Sequence, residues 1–132
     1  MKGIEIKDLK VLKDHRGWFV ELFRKEFGIE KMAQVNLTVA NPGMAKGNHY
    51  HLYKTEWYCV IKGRMKLVLK DMDSGKVSEL TLGDDNLRIV KIPPRVIHGF
   101  KNTGEGDMYL LYCTDTPFDP QDPDTSTGVV LE

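Results

Sequence analysis

The sequence predicts an all-β chain folded as one domain, a sandwich or a barrel. Three observations predict it. Short runs of β-branched and aromatic residues recur along the 132 residues. Glycine, proline and Asp-Ser-Gly turns separate them. Only residues 27–32 have helical spacing, and they span two turns at most. In order, residues 4–6 and 9–12 alternate weakly, and 18–23 are strongly β-prone. Residues 34–39 alternate polar with apolar side chains. Residues 56–61 are aromatic and β-branched, and 65–70 continue after Gly63. Asp73-Ser74-Gly75 reads as a hairpin turn. Residues 87–92 form a strand stopped by Pro93-Pro94, and 108–114 are the last strong strand. Residues 117–124 carry three prolines and three aspartates and read as an arm laid over the surface. No repeat, low-complexity tract or linker interrupts the chain, so a single domain is expected over 1–132.

Composition narrows the function classes. The charge balances at 19 basic and 19 acidic residues, with no basic stripe for nucleic acid. No apolar run approaches the ~18 residues of a membrane span. A cytoplasmic protein is expected. A β-rich chain without net charge has little self-repulsion, which favours an oligomer, here a homodimer. Cys59 and Cys113 lie in apolar β-prone surroundings and read as buried free thiols rather than a disulfide.

The chemistry-bearing residues fall at fixed spacing: Gly43-x5-His49-x-His51-x4-Glu56-x6-Gly63, then Pro93-x-Arg95-x2-His98-x3-Asn102. Residues two apart in a strand share a face, so His49 and His51 project together. Three imidazoles and a carboxylate suit a divalent transition metal with open positions for water or substrate. The alternative is a metal-free site using the same histidines as acid–base groups or ligand contacts. The metal could polarise a carbonyl, a neutral histidine could take a proton beside that carbonyl, or the metal could activate dioxygen. Lys46, three residues before His49, could contact phosphate as a point charge. Arg16, Arg24, Arg64 and Arg88 read mostly as a solvated face. Tyr50, Tyr53, Trp57 and Phe100 read as packing residues that could instead stack on a base or sugar.

These spacings resemble the two-part cupin signature, with Arg95 where a glycine is usual. The resemblance implies a double-stranded β-helix, the cupin jelly-roll barrel. Four stretches extend it. Asp14-His15-Arg16-Gly17-Trp18-Phe19-Val20-Glu21, Lys46-Gly47-Asn48-His49-Tyr50, residues 92–100 with His98-Gly99-Phe100, and Tyr112-Cys113-Thr114-Asp115 resemble segments of dTDP-4-dehydrorhamnose 3,5-epimerases. In that family the histidine matching His49 abstracts the proton beside the 4-keto group. Two departures separate this chain from it. Glu56 stands where the family has a lysine, and the catalytic tyrosine falls near Pro117 or Phe118.

Around the site a second relative is closer. The C-terminal cupin domain of bifunctional capsular polysaccharide enzymes resembles this chain in Gly47-Asn48-His49-Tyr50-His51, in Glu56 and in the Phe118-Asp119-Pro120 tail. That domain is a zinc-dependent C3-epimerase of a UDP-linked 4-keto sugar. The 3,4-ketoisomerases of dTDP-sugars share Gly-x-His-x-His. The resemblance implies an epimerase or isomerase of a nucleotide-linked 4-keto-6-deoxy sugar, in surface polysaccharide precursor synthesis. It implies metal ligands His49, His51, Glu56 and His98, and catalytic roles for His49, His98 and Tyr112. It also implies substrate contacts from Arg16, Phe19, Glu21 and Lys46, the first three reaching a partner's pocket. A histidine cannot ligate the metal and serve as base at once; if all four residues are ligands, Tyr112, Tyr58, Lys54 and Asp115 are the candidate bases. The rival readings are a metal cupin of another class, dioxygenase or small-sugar isomerase, and a sugar-nucleotide-binding cupin without catalysis.

Overall fold

The computed structural model describes all of residues 1–132, and strands account for nearly all of its regular structure. They are β1 (Glu5–Asp8), β2 (Val11–Asp14), β3 (Gly17–Val20), β4 (Gln34–Ala40), β5 (Ala45–Tyr50), β6 (Glu56–Lys62), β7 (Arg64–Asp71), β8 (Val77–Gly83), β9 (Arg88–Ile92), β10 (Val96–Asn102), β11 (Met108–Thr114) and β12 (Ser126–Thr127). Two five-stranded antiparallel sheets pack face to face, ordered β1-β9-β6-β11-β4 and β12-β5-β10-β7-β8. The hairpin β2–β3 stands apart as a sheet of two. No helix is long and apolar enough to cross a membrane.

Alternation builds the core. From β6, Tyr58 and Val60 point between the sheets, where Leu67, Leu69, Leu82, Val90, Phe100 and Leu110 meet them. Each such side chain contributes about 1.5–3 kcal/mol when fully buried, enough that the fold needs no disulfide. Trp57 and Cys59 point the other way. They join Ile29, Ile89 and Cys113 under a cover of Leu9, Leu22, Phe23 and Phe27. Central strand β6 is therefore buried on both faces, which is why it reads as a continuous apolar run. Both cysteines are buried free thiols, as expected.

Several local expectations are corrected. The helical stretch at 27–32 is instead one 3-10 turn, Lys25–Phe27, closed by Gly28 at φ 87°. Phe27 and Ile29 serve the outer cluster rather than a helix face. The β-prone run at 18–23 is strand only through Val20, because Leu22 and Phe23 fold down onto that cluster. The strands β8 and β10 have no counterpart among the sequence's strong runs. In β8 the polar Glu79 and Thr81 point outward between half-buried and buried positions, and β10 is interrupted by the site histidine.

The departure at Arg95 is explained by its backbone. Arg95 has φ 66°, the left-handed region that suits glycine. Its N–H donates to the His51 carbonyl at 2.8 Å, and its guanidinium pairs with Asp73 at 2.7 Å, which offsets the strain.

Candidate metal centre

His49, the penultimate residue of β5, lies opposite His98 on the neighbouring strand β10. Glu56 enters from the facing sheet at the start of β6. His51 follows β5 on the loop between them. The four side chains place ligand atoms within 4.8 Å of one another. His51, Glu56 and His98 are buried, and His49 is half-buried at the wall of a cavity of about 240 Å³. Gln34 and Asn36 from β4, Tyr112 and Thr114 from β11, Lys54, and Phe118 and Thr125 from the tail complete that wall.

Two backbone carbonyls fix the tautomers. Nδ1 of His98 donates to Val96 O at 2.9 Å, and Nδ1 of His51 donates to Asp124 O at 2.6 Å. A carbonyl only accepts, so both protons sit on Nδ1 and both Nε2 lone pairs face the cluster. Each Nε2 lies 3.0 Å from the same oxygen, Oε1 of Glu56. Nε2 of His98 is fully buried and has no aligned hydrogen-bond partner. Neutral rings would thus press two lone pairs against a carboxylate. Protons on both Nε2 atoms would relieve this, and so would a cation at the point where the three atoms converge. Carbonyl-anchored histidines facing a carboxylate are the arrangement that metal ligation needs, and the donor set suits zinc or another divalent transition metal.

Titration follows the same geometry. Burial, then the neighbouring His98 and His51, push His49 down to about 4, so its ring is neutral at pH 7. Burial pulls His51 down too, but its bond to Glu56 outweighs that and shifts it up. Burial would raise the Glu56 carboxyl; the two facing histidines, when protonated, hold it well below the usual carboxylate range. Burial raises Tyr112, so its hydroxyl keeps its proton.

Of the candidate bases, Lys54 and Tyr112 line the cavity. Tyr58 is fully buried behind them, its ring 5.8 Å from that of His98. Asp115 is spent on the Thr55 N–H at 3.0 Å. Phe118 lines the wall without a hydroxyl. Nζ of Lys46 crosses to Thr38 Oγ1 at 2.6 Å, one inward position beyond Asn36 on β4. Arg16, Phe19 and Glu21 lie away from the cluster within the chain: Arg16 pairs with Asp14, Glu21 with Arg24, and Phe19 is exposed. Trp57 and Phe100 are core residues, not stacking platforms.

Asn36, Gln34 and Asp124 were not anticipated. The first two had a signal. In β4 the polar residues point inward and Val35, Leu37 and Val39 point out, an inverted pattern that marks a polar interior. Asp124 had none. At φ 47° its carboxylate accepts the N–H groups of Leu52, Tyr53 and Lys54 at 2.7, 2.9 and 3.0 Å, across some seventy residues of sequence.

Comparison with known proteins places the chain in a family. Residues 12–126 match the family model described as polysaccharide biosynthesis C-terminal domain. The spore coat polysaccharide biosynthesis protein SpsL of Bacillus subtilis is 31% identical over 92% of this chain and 85% of its own. The probable low-salt glycan biosynthesis epimerase Agl13 of Haloferax volcanii is 31% identical over 92% of this chain and 83% of its own. The capsular polysaccharide assembling protein CapF of Staphylococcus aureus superposes with TM-score 0.72 at 30% identity over 92% of this chain; this chain spans only 34% of CapF. A dTDP sugar isomerase from Desulfovibrio desulfuricans shares the fold, with TM-score 0.89 at 24% identity over 97% of this chain and 85% of its own.

Proposed function

The chain belongs to the polysaccharide biosynthesis C-terminal domain family, and on that premise we propose a metal-dependent epimerase or ketoisomerase of a nucleotide-linked 4-keto-6-deoxy sugar. The observation that carries the reading is the pair of carbonyl-anchored histidines whose free Nε2 atoms converge on one oxygen of Glu56. The relatives named for polysaccharide and glycan biosynthesis, an epimerase among them, support epimerase chemistry on a sugar. Cytoplasmic nucleotide sugars are the pool it would draw on.

His51, Glu56 and His98 would hold the metal, with His49 as a fourth ligand or as the base. A bound divalent ion supplies a Lewis acid for the substrate's keto oxygen. The chain's own residues do the rest. His49 differs from the other two histidines because no side-chain hydrogen bond anchors its ring, and its depressed pKa leaves a neutral imidazole. Both features favour His49 as the group that takes the proton beside the carbonyl. Tyr112, protonated and on the cavity wall, is placed to return a proton. Lys46, Gln34 and Asn36 extend the polar wall toward a phosphate-bearing ligand.

The chain is read as a homodimer. Leu12, Trp18 and Phe19 on the hairpin are more than half exposed, and Val35, Leu37 and Val39 form an exposed apolar row on edge strand β4. Arg16, Phe19 and Glu21 would reach the partner's cavity.

The test is zinc content and solvent-deuterium exchange on a UDP- or dTDP-linked 4-keto-6-deoxy sugar, for wild type and Glu56→Lys together. The lysine puts a cation where the metal belongs. We expect metal and exchange to vanish together. Exchange at the wild-type rate in a metal-free Glu56→Lys protein sinks the metal mechanism. No exchange in metal-loaded wild type returns the chain to a binding role, and oxygen uptake with bound iron returns it to a dioxygenase.

A further inference from the structure

Lys54 is 6% exposed, the one lysine of the chain that is buried. Its backbone N–H is bonded to Asp124, but its ammonium makes neither a hydrogen bond nor an ion pair within the chain. A buried ammonium without a partner is costly, and that of Lys54 avoids this state: the fully buried unpartnered polar side-chain atoms are Trp57 Nε1 and His98 Nε2. The ordinary escape is to extend the stem so that the charge reaches bulk water. Here the side chain opens instead onto the cavity shared with His49, His51 and Glu56. Lys54 and Glu56 are two residues apart at the entry to β6, and both line that cavity.

The loop that carries Lys54 is also held in place. The N–H groups of Leu52, Tyr53 and Lys54 are bonded to the Asp124 carboxylate, and that of Thr55 to Asp115 at 3.0 Å. Four consecutive amides of one loop are therefore tied down around this residue. The fold spends these long-range bonds to keep a cation beside the cluster, where Glu56 is already engaged by two histidines. A donor carried on a braced loop and facing that cavity is suited to charge that develops on a ligand.

We infer that Lys54 is the cationic contact for an anionic oxygen of the bound ligand, the oxyanion formed on the substrate's carbonyl side. The assignment rests on the epimerase reading for the identity of that oxyanion; the anion site itself does not. Metal-loaded Lys54→Met and Lys54→Arg decide it, with oxalate as a planar mimic of an enediolate. We expect Lys54→Met to keep one metal per chain and to bind oxalate at least tenfold more weakly by calorimetry. It should bind uridine or thymidine diphosphate as wild type does. Its kcat for solvent exchange should fall about a hundredfold with little change in KM. Lys54→Arg should recover part of both losses.

Unchanged oxalate affinity in Lys54→Met overturns the proposal, and so does a loss confined to the nucleoside diphosphate, which would make Lys54 a phosphate contact. Loss of metal in both Lys54→Met and Lys54→Gln overturns it too, by making the residue part of the metal site. A wild type that binds oxalate through Lys54 yet exchanges no proton leaves the anion site standing and removes the epimerase reading. Exchange that survives Lys54→Met intact removes Lys54 alone.

Discussion

Two arms leave the sandwich, and they are held in opposite ways. The tail from Pro117 onward is tied down by polar, long-range bonds. Asp124 accepts three amides and anchors His51 through its carbonyl. Asn48, in the left-handed region between Gly47 and His49, accepts from Val130 and Leu131 at 2.9 and 3.2 Å and donates to Leu131 O at 2.9 Å. Thr127 pairs with His49 itself. The hairpin β2–β3 has no such ties. Its strands pair only with each other, and its large side chains face solvent. A lone two-stranded hairpin is marginal in water. The tail belongs to its own chain's site, whereas the hairpin presents an apolar surface that a second copy would cover. Directional bonds to specific backbone groups define the intramolecular arm, and the exposed aromatics of the other are what the proposed dimer would cover.

The strongest way to break the comparison is at the residue the tail is built around. His51→Ala should reduce bound metal to background. At a hundredfold excess of metal over Kd it should also remove about 2.7 kcal/mol of metal-conferred stability. Thermal melts with and without zinc check this, and full metal retention would separate the tail from the site. Asp124→Ala comes next. It keeps the carbonyl but frees three amides, so the anchor on His51 loosens. Metal affinity should fall about 10- to 100-fold, the range for a lost outer-layer contact, and protease should begin to cut within residues 117–123.

A smaller effect sharpens the contrast by pH. The native His49 ring takes a proton only near about 4, whereas the unfolded one does so near 6.5. Between those values the unfolded chain binds more protons, so this residue makes stability fall as pH drops through the window. Metal-free His49→Gln should show a flatter slope than wild type from pH 6.5 to 4 in urea titrations. An unchanged slope would contradict the neutral ring. The smallest effect on the chain itself belongs to the hairpin. Trp18→Ser should shift dimer to monomer in sedimentation while leaving metal content and that pH slope untouched. A dimer that survives the change places the interface elsewhere.

The sequence carried the candidate cluster because its information is largely local: His49 and His51 are near neighbours in the chain, although His51 lies on the loop past β5 rather than on the strand, and strand pairing brings His98 beside His49. It carried most strands for the same reason. It misplaced the helix, because Phe27 and Ile29 answer to a distant outer cluster and Gly28 breaks the turn. Asp124 was illegible because its partners lie some seventy residues away and its backbone conformation has no sequence mark. Lys54 was visible only as a candidate base; its burial and its place on the cavity wall are properties of the folded chain.

The two thiols gain a use from where they sit. Cys59 and Cys113 lie beneath the cover that precedes β4, and burial pushes both up to about 12. As long as that cover stays shut, an alkylating reagent finds almost no thiolate to attack. Labelling therefore proceeds only through local opening, and its rate becomes a clock for how often the segment after the hairpin lifts. A second copy seated on the hairpin would slow the clock, so a concentration series of labelling rates reads the assembly of the protein from its interior.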